Sequence, residues 1–453
     1  MLLNSAEAQS TGRSAVAIDK DVVAALDERI LGPEHKSLPP TAWGRTVREF
    51  LDSAPALADL ETPILTIDRT AMESNLAVMA DWAAAAGVRL APHGKTTMAP
   101  QLWARQLETG SWAITLATIW QVQVARSFGV GRVVLANTLV DPVGLRWLAG
   151  ELAKDPDFEF LSWVDGVATV REMERHLAAA PAGVRVPVIV ELGGPHGRTG
   201  ARGLAAALEV AEAVHHSPRL ILAGVGGYEG ALAHDRSPEG LAAVRDYLEE
   251  VARLHRELAA AGRYADRDGS PAVVTAGGSA YPDLVVEHLA GLADEEGAQG
   301  VPTAVVLRSG AYLIHDDGFY SGISPLADGH TDRPLRSAMH GWARTVSRPE
   351  PELALLDAGK RDLPFDEGLP VPQRIAGPAA AELNSAATVS ALNDQHTFLR
   401  LPGGAEAEVP VGSVVRLGLS HPCTAFDKWR LIPVIDSADA ESPRVVDLVH
   451  TFF

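Results

Sequence analysis

The chain has 453 residues, 47% of them apolar, and a single cysteine, Cys423. That length predicts two domains with a sizeable core, and one cysteine excludes an internal disulfide and fits a reducing, cytoplasmic compartment. With 39 basic against 58 acidic side chains the net charge is −19, which argues against nucleic acid as a partner.

In chain order, MLLNSAEAQSTGRSAV lacks the continuous apolar run of a signal peptide, and no window approaches 18 uninterrupted apolar residues, so no membrane partner is expected. Residues 1–61 read as an N-terminal helical segment, with helices over 19–31 and 41–53, packing on either domain. A strand-and-helix rhythm starts at PILTID (63–68). Thr70 and Glu73 then form a T-x-x-E capping box for a helix that reaches about Ala86 and ends at Gly87. Further runs follow as VRLAPH (88–93), WAITLA (112–117), RVVLAN (132–137), FEFLSWV (158–164), VPVIVEL (186–192), LILAGVG (220–226) and AVVTAG (272–277). Each is apolar on both faces, and most precede a helix-length segment, the pattern of a parallel sheet covered on both sides. Eight such runs predict a (β/α)8 TIM-type barrel over 62–305, with a doubly wound open sheet as the competitor. No G-x-G-x-x-G follows the first run, and the glycines of GVGGYEG (224–230) have a different spacing. From 306 to 453 short strands separated by Pro, Gly and Asp predict a C-terminal antiparallel β-domain.

Candidate chemistry sits at strand ends. Lys95, in LAPHGKTTMAP (90–100), follows the second run. A lone lysine is ordinarily a solvated surface charge, but a barrel mouth partly shielded from water favours the neutral amine that a Schiff-base lysine requires. TAGGSAYPD (275–283) offers the backbone N–H groups of Gly277, Gly278 and Ser279 to an anion, with a helix after Pro282. A Gly-rich turn is common. Together with a Schiff-base lysine it points to a phosphorylated aldehyde, pyridoxal 5'-phosphate. Tyr228, in GGYEG, either meets the cofactor ring or packs in the core, and His196 or Arg198, in ELGGPHGRTG (191–200), either lies at the mouth or belongs to a solvated loop. In SHPC (420–423), His421 and Cys423 stand two apart. In an extended segment they would face one way and could share a divalent metal, zinc before manganese or magnesium, unless they are an unrelated pair.

In this order TPILTIDRTAMESNLAVMA, PHGKTT, LAN, ELGGPHGRTG, YEG and TAGGS resemble the alanine-racemase-type barrel of fold-type III pyridoxal-phosphate enzymes. SHPCTAFDKW is similar to the D-serine dehydratase and D-threonine aldolase family within it. The resemblance runs from residue 62 to the end. It implies that Lys95 carries the cofactor, that the Gly277–Ser279 backbone holds its phosphate, and that Tyr228 faces the pyridine nitrogen and Arg198 the ring hydroxyl. It also implies that His421 and Cys423 bind the metal at the substrate's β-hydroxyl, and that the protein is a homodimer. The implied activity is a dehydratase that turns a D-serine-like D-β-hydroxy amino acid into a 2-oxo acid and ammonia. A D-threonine-type aldolase giving glycine and an aldehyde is the alternative, and a non-catalytic pyridoxal-phosphate-binding protein a third. Cys423 favours the dehydratase, because aldolase relatives tend to carry a carboxylate there. Two features depart from the relatives: Gly94 and Thr97 stand where Val and His are more usual, and LRSGAYLIHDDGFY (307–320) differs.

Overall fold

The structure is a computed structural model that describes residues 17–195, 197–264, 267, 269–295, 300–377, 381–402 and 409–453. After β1 (Ile64–Asp68) come β2 (Arg89–Leu90), β3 (Ile114–Leu116), β4 (Arg132–Thr138), β5 (Glu159–Val164), β6 (Val186–Gly193), a short β7 (Ala201–Arg202) beside β6, β8 (Leu220–Gly227), β9 (Ala272–Ala276) and β10 (Thr303–Leu307). Apart from β1 they form one parallel sheet in the order β2-β10-β9-β8-β6-β5-β4-β3. A parallel bridge between His93 and Thr115 joins its two ends, so eight strands close a barrel. Helices wrap it, several opening on proline and capped by a side chain. Asp141 accepts from the N–H of Gly144 and Ser237 from that of Gly240.

The barrel is filled, not open. Ala91, Ala113, Val134, Leu161, Trp163, Ile189, Ala223, Val273 and Val306 form one buried cluster, with every strand contributing from itself or its flank. Small alanines on three strands leave room for the Trp163 indole. On β8 the glycines serve close backbone approach: a Cβ on Gly224 would overlap the carbonyl oxygen of Val273 on β9.

The parallel (β/α)8 architecture is the expected one, but one strand of the expected eight differs. PILTID does not join the barrel, and Thr303–Leu307 takes the remaining place, crossing residue 305 where the barrel was expected to end. β1 instead sits in a mainly antiparallel sheet with β11 (Met339–Glu350), β12 (Leu353–Leu356), β13 (Val371–Ile375), β14 (Ala381–Glu382), β15 (Thr388–Leu392), β16 (Thr397–Arg400), β17 (Val414–Gly418), β18 (Leu431–Ile435) and β19 (Val445–His450). Its path is β14-β13-β17-β11-β1-β18-β19, and β12, β16 and β15 continue from β11. Ile64 stands opposite Trp342 in the antiparallel β1–β11 pair, while β1 runs parallel to β18. All five β1 residues are buried. A strand apolar on both faces satisfies either sheet, so pattern alone could not choose.

The helix after β1, Arg69–Ala85, starts two residues earlier than the T-x-x-E box predicts. Its N-cap is Asp68, which accepts from Ala71 N–H at 3.0 Å, while Thr70 Oγ1 donates to the carbonyl of Asp436 at 2.9 Å. The N-terminal helices are shorter than expected, Lys20–Ala24 and Val47–Leu51. Leu31, Leu38, Val47, Phe50 and Leu57 pack on the β-domain sheet, whereas Ile18 and Leu26 join the barrel core. Among the described residues no helix is long and apolar enough to cross a membrane.

Candidate active site

The chain leaves β2 through His93 and makes one 3-10 turn, Gly94–Thr96. Gly94 has a steric reason: a Cβ there would lie 2.6 Å from the Ile114 side chain and 2.7 Å from the Trp103 indole nitrogen. The indole N–H also donates to the Gly94 carbonyl at 3.1 Å. A Val at this position would not fit that packing. Lys95 is half-buried at the barrel mouth, and its amine has no hydrogen-bond or ion-pair partner among the described residues. His93 Nδ1 is likewise buried without a partner. Burial, together with the positive charges of Lys95, Arg308 and Arg198, holds this imidazole well below its ordinary value, and therefore neutral.

Arg308, at the end of β10, is 2% exposed. It donates to Thr275 Oγ1 at 2.7 Å and to the Gly227 carbonyl at 2.6 Å, and lies 5.0 Å from the centre of the Trp163 ring. Its Nε is buried without a partner, and among the described residues no carboxylate is within ion-pairing distance, although Glu229 and Glu191 act on it from farther off. A buried guanidinium with an N–H unpaired favours the arrival of something anionic or electron-rich. Tyr228 projects beside it with the Arg198 guanidinium 5.3 Å from its ring centre, and burial pushes its phenol up. Arg198 itself is exposed, and His196 lies outside the described residues.

At the TAGGS turn Gly277 adopts φ +97°, open to glycine at little cost. The N–H groups of Gly277 and Gly278 donate to the two oxygens of Glu229, at 2.9 and 2.7 Å. Glu229 is fully buried. An anion at this turn would therefore meet Ser279 rather than those two amides. Ser279, Ser309, Ala311, Tyr312, His315 and Tyr320 border a cavity there, and Ala311 N–H donates to Ser279 Oγ at 3.3 Å.

SHPC comes to the lysine turn. Thr96 Oγ1 and Cys423 Sγ lie 3.2 Å apart, although 327 residues separate them. Contrary to the expectation, the segment is not extended throughout. His421 is extended, but Pro422 starts a short helix, Pro422–Phe426, because proline suits the first helical position. The two side chains still meet. Burial opposes the charge on His421, but the hydrogen bonds and charges of Cys423 and Asp366 outweigh it and push the ring up to about 9. Burial likewise raises the thiol, but His421, Thr96 and Lys95 bring it below its usual value. The direction for this pair is imidazolium–thiolate. His421 Nδ1 donates to Asp366 Oδ2 at 2.6 Å.

The residues fit both implied groups. A lysine amine with no partner among the described residues and a buried guanidinium with one N–H unpaired border one mouth, which suits a phosphorylated aromatic aldehyde. An imidazole and a thiol in contact suit a borderline-soft divalent ion. Among the described residues no cluster of three or more His, Cys, Asp and Glu could hold a metal, so a metal here would complete its shell with water or substrate. Motif reading missed His93, Arg308, Glu229 and Asp366. Arg308 carried a usable signal, since it directly follows an apolar run. Asp366 carried none, because it lies 55 residues from the histidine it meets.

A closed parallel barrel with a lysine at its mouth, joined to an antiparallel sheet that brings a His/Cys pair near that lysine, is the architecture that the sequence resemblance implies. Residues 338–435 match the family described as "Putative serine dehydratase domain". Over 373 residues the chain is 28% identical to a D-threonine aldolase of Arthrobacter sp., covering 82% of this chain and 88% of that one. The crystal structure of D-threonine aldolase from Filomicrobium marinum superposes with a TM-score of 0.69 at 25% identity, covering 88% and 97% of the two chains. A D-threo-3-hydroxyaspartate dehydratase, solved as a cysteine-to-alanine mutant in its metal-free form, gives 0.69 at 18% identity over 88% and 99%. In sequence and fold the chain is thus similar to enzymes named as D-threonine aldolases and D-threo-3-hydroxyaspartate dehydratases.

Proposed function

We propose that the protein is a pyridoxal-phosphate- and metal-dependent lyase that dehydrates a D-β-hydroxy amino acid to a 2-oxo acid and ammonia. The observation that carries this reading is the 3.2 Å approach of Cys423 to Thr96, which sets the His421/Cys423 pair beside the Lys95 amine. Lys95 is the residue to carry the cofactor and then to take the proton from the substrate's Cα. When bound, pyridoxal phosphate supplies an electron sink for the charge left at Cα. Arg308 provides a fixed positive charge beneath the mouth, and Trp163 and the filled barrel exclude water from below. Neutral His93 borders the mouth. Ser279, at the turn whose Gly277–Gly278 backbone Glu229 holds in shape, would meet the phosphate. Tyr228, with Arg198 against its own ring, would border the cofactor ring. A divalent ion on His421 and Cys423 would polarise the β-oxygen and ease its departure. Zinc is the ion we propose, because the donors are nitrogen and sulfur.

The aldolase reading has support of its own, because a D-threonine aldolase is among the matched relatives. That chemistry removes the β-hydroxyl proton and breaks Cα–Cβ. Support for dehydration comes from the thiol itself, and a D-threo-3-hydroxyaspartate dehydratase is also among the matched relatives. We further propose a homodimer working in the cytoplasm on small-molecule substrates. Incubation with a panel of D-β-hydroxy amino acids, measuring oxo acid, ammonia, glycine and aldehyde separately, tests the reading. Oxo acid and ammonia in equal amounts are expected. Glycine and aldehyde would make it an aldolase.

A further inference from the structure

We propose that Asp366 is a positioning residue for the metal pair, holding the His421 ring by Nδ1 so that its other nitrogen faces Cys423. The proposal rests on the reading of His421 and Cys423 as metal ligands. Both oxygens of Asp366 are taken by one turn: Oδ2 accepts from His421 Nδ1 at 2.6 Å and Oδ1 from Thr424 Oγ1 at 2.7 Å. Two bonds fix the carboxylate where one would let it swing. A second tether joins the same two segments, since Ser420 Oγ donates to the Gly368 carbonyl at 2.9 Å. The His421 backbone is already set as the cap of a helix that begins with proline, so rotation of the ring is the freedom left. Asp366 removes it. With Nδ1 engaged, Nε2 is the nitrogen open to an ion, and Cys423 lies two residues on, its sulfur at 3.2 Å from Thr96 Oγ1.

Chemistry gives the arrangement a purpose. A neutral imidazole that binds a metal through one nitrogen keeps a proton on the other, and that N–H needs an acceptor. A carboxylate acceptor fixes the tautomer and makes the ring a better ligand, and losing such a partner typically weakens metal binding by about 10–100-fold. Side-chain exposure is 22% for His421 and 42% for Asp366, so the acid approaches from the solvent side and leaves the inner side free.

The test titrates cofactor-loaded, metal-stripped protein with Zn²⁺ in competition with a chromophoric chelator, and follows cofactor absorbance in parallel. Asp366→Asn should weaken zinc binding by about 10–100-fold with the cofactor band unchanged. Thr424→Val should give a smaller loss in the same direction. With Co²⁺ in place of Zn²⁺, Asp366→Asn should alter the thiolate-to-cobalt absorption, which a role in folding alone would not do. Wild-type affinity in Asp366→Asn, with Cys423→Ala abolishing binding, would overturn the positioning role and leave the metal reading standing. Loss of the cofactor band together with the metal in Asp366→Asn would show general damage and also overturn it. A wild-type protein that takes up no stoichiometric zinc would overturn both readings.

Discussion

Lys95, Thr96 and Cys423 make a three-residue junction between the barrel and the β-domain, and its parts should separate cleanly by mutation. Borohydride reduction followed by peptide mapping should mark Lys95, and label on any other lysine would refute its assignment. Cys423→Ala should keep the cofactor, whose proposed anchors lie in the barrel, while losing turnover. A metal's charge stabilisation is worth several kcal/mol, so a fall in kcat of roughly 100-fold or more is expected, against unchanged visible absorbance. Full activity in that variant would make the pair structural. At this scale the sequence displayed what sits in short motifs: PHGKTT and SHPC each raise a candidate within a few residues. It hid partners brought in from afar. Asp366, Arg308 and His93 are ordinary residues in ordinary contexts until the fold sets Asp366 on His421 and Arg308 inside a ring of Thr275, Gly227 and Trp163. Gly277 and Gly278 show the opposite failure. Their amides looked available, but Glu229, a neighbour of Tyr228 in sequence, occupies them.

Among the strands, seven of the eight runs read as barrel strands are barrel strands, because two-faced apolar patterns survive any sequence context. The eighth was misassigned because Thr303–Leu307 is not followed by a long helix. The signal that identified the others was absent. β8 is where composition misleads most, since four of its eight residues are Gly or Ala and would read as weak strand formers. Contact explains them. Gly224→Ala would drive a methyl into the Val273 carbonyl and push β8 from β9, so we expect a loss of about 1–3 kcal/mol, or more if the backbone cannot yield, read as a lower melting temperature. Gly150→Ala is the control: that glycine lies within the Pro142–Lys154 helix with open space around its Cβ position, and the change should be neutral or stabilising. Equal effects from the two would remove the steric account of β8.

Taken whole, the molecule buries several histidines in the neutral form. Burial lowers His255, His315 and His450 to about 4 and His340 to about 3, from an ordinary 6.5. A histidine held neutral in the fold but free to protonate when unfolded contributes stability that is full above about pH 6.5 and is lost as pH falls toward the folded value. Denaturation midpoints should therefore drop steeply between pH 6.5 and 4, each histidine contributing up to about 3 kcal/mol. His255 hydrogen-bonds Tyr264 and Thr303, so His255→Gln can retain those bonds and should flatten the slope. A midpoint that does not change across this range would show that the buried rings are not what senses acid.

The placement of β1 also sets a clock. The strand is synthesised before any barrel strand, yet its two neighbours, β11 and β18, begin at residues 339 and 431. At about 5–20 residues per second, some 270 residues of further synthesis hold it without a partner for roughly 15–50 seconds. During that time Ile64, with Phe50, Leu57 and Leu60 ahead of it, lacks the late β-domain residues Trp342, Leu431 and Leu448 that bury it. A nascent chain halted near residue 330 should therefore be captured by chaperones or aggregate even when its barrel strands are complete, whereas polar replacements of Phe50, Leu57, Leu60 and Ile64 in the same fragment should raise its solubility.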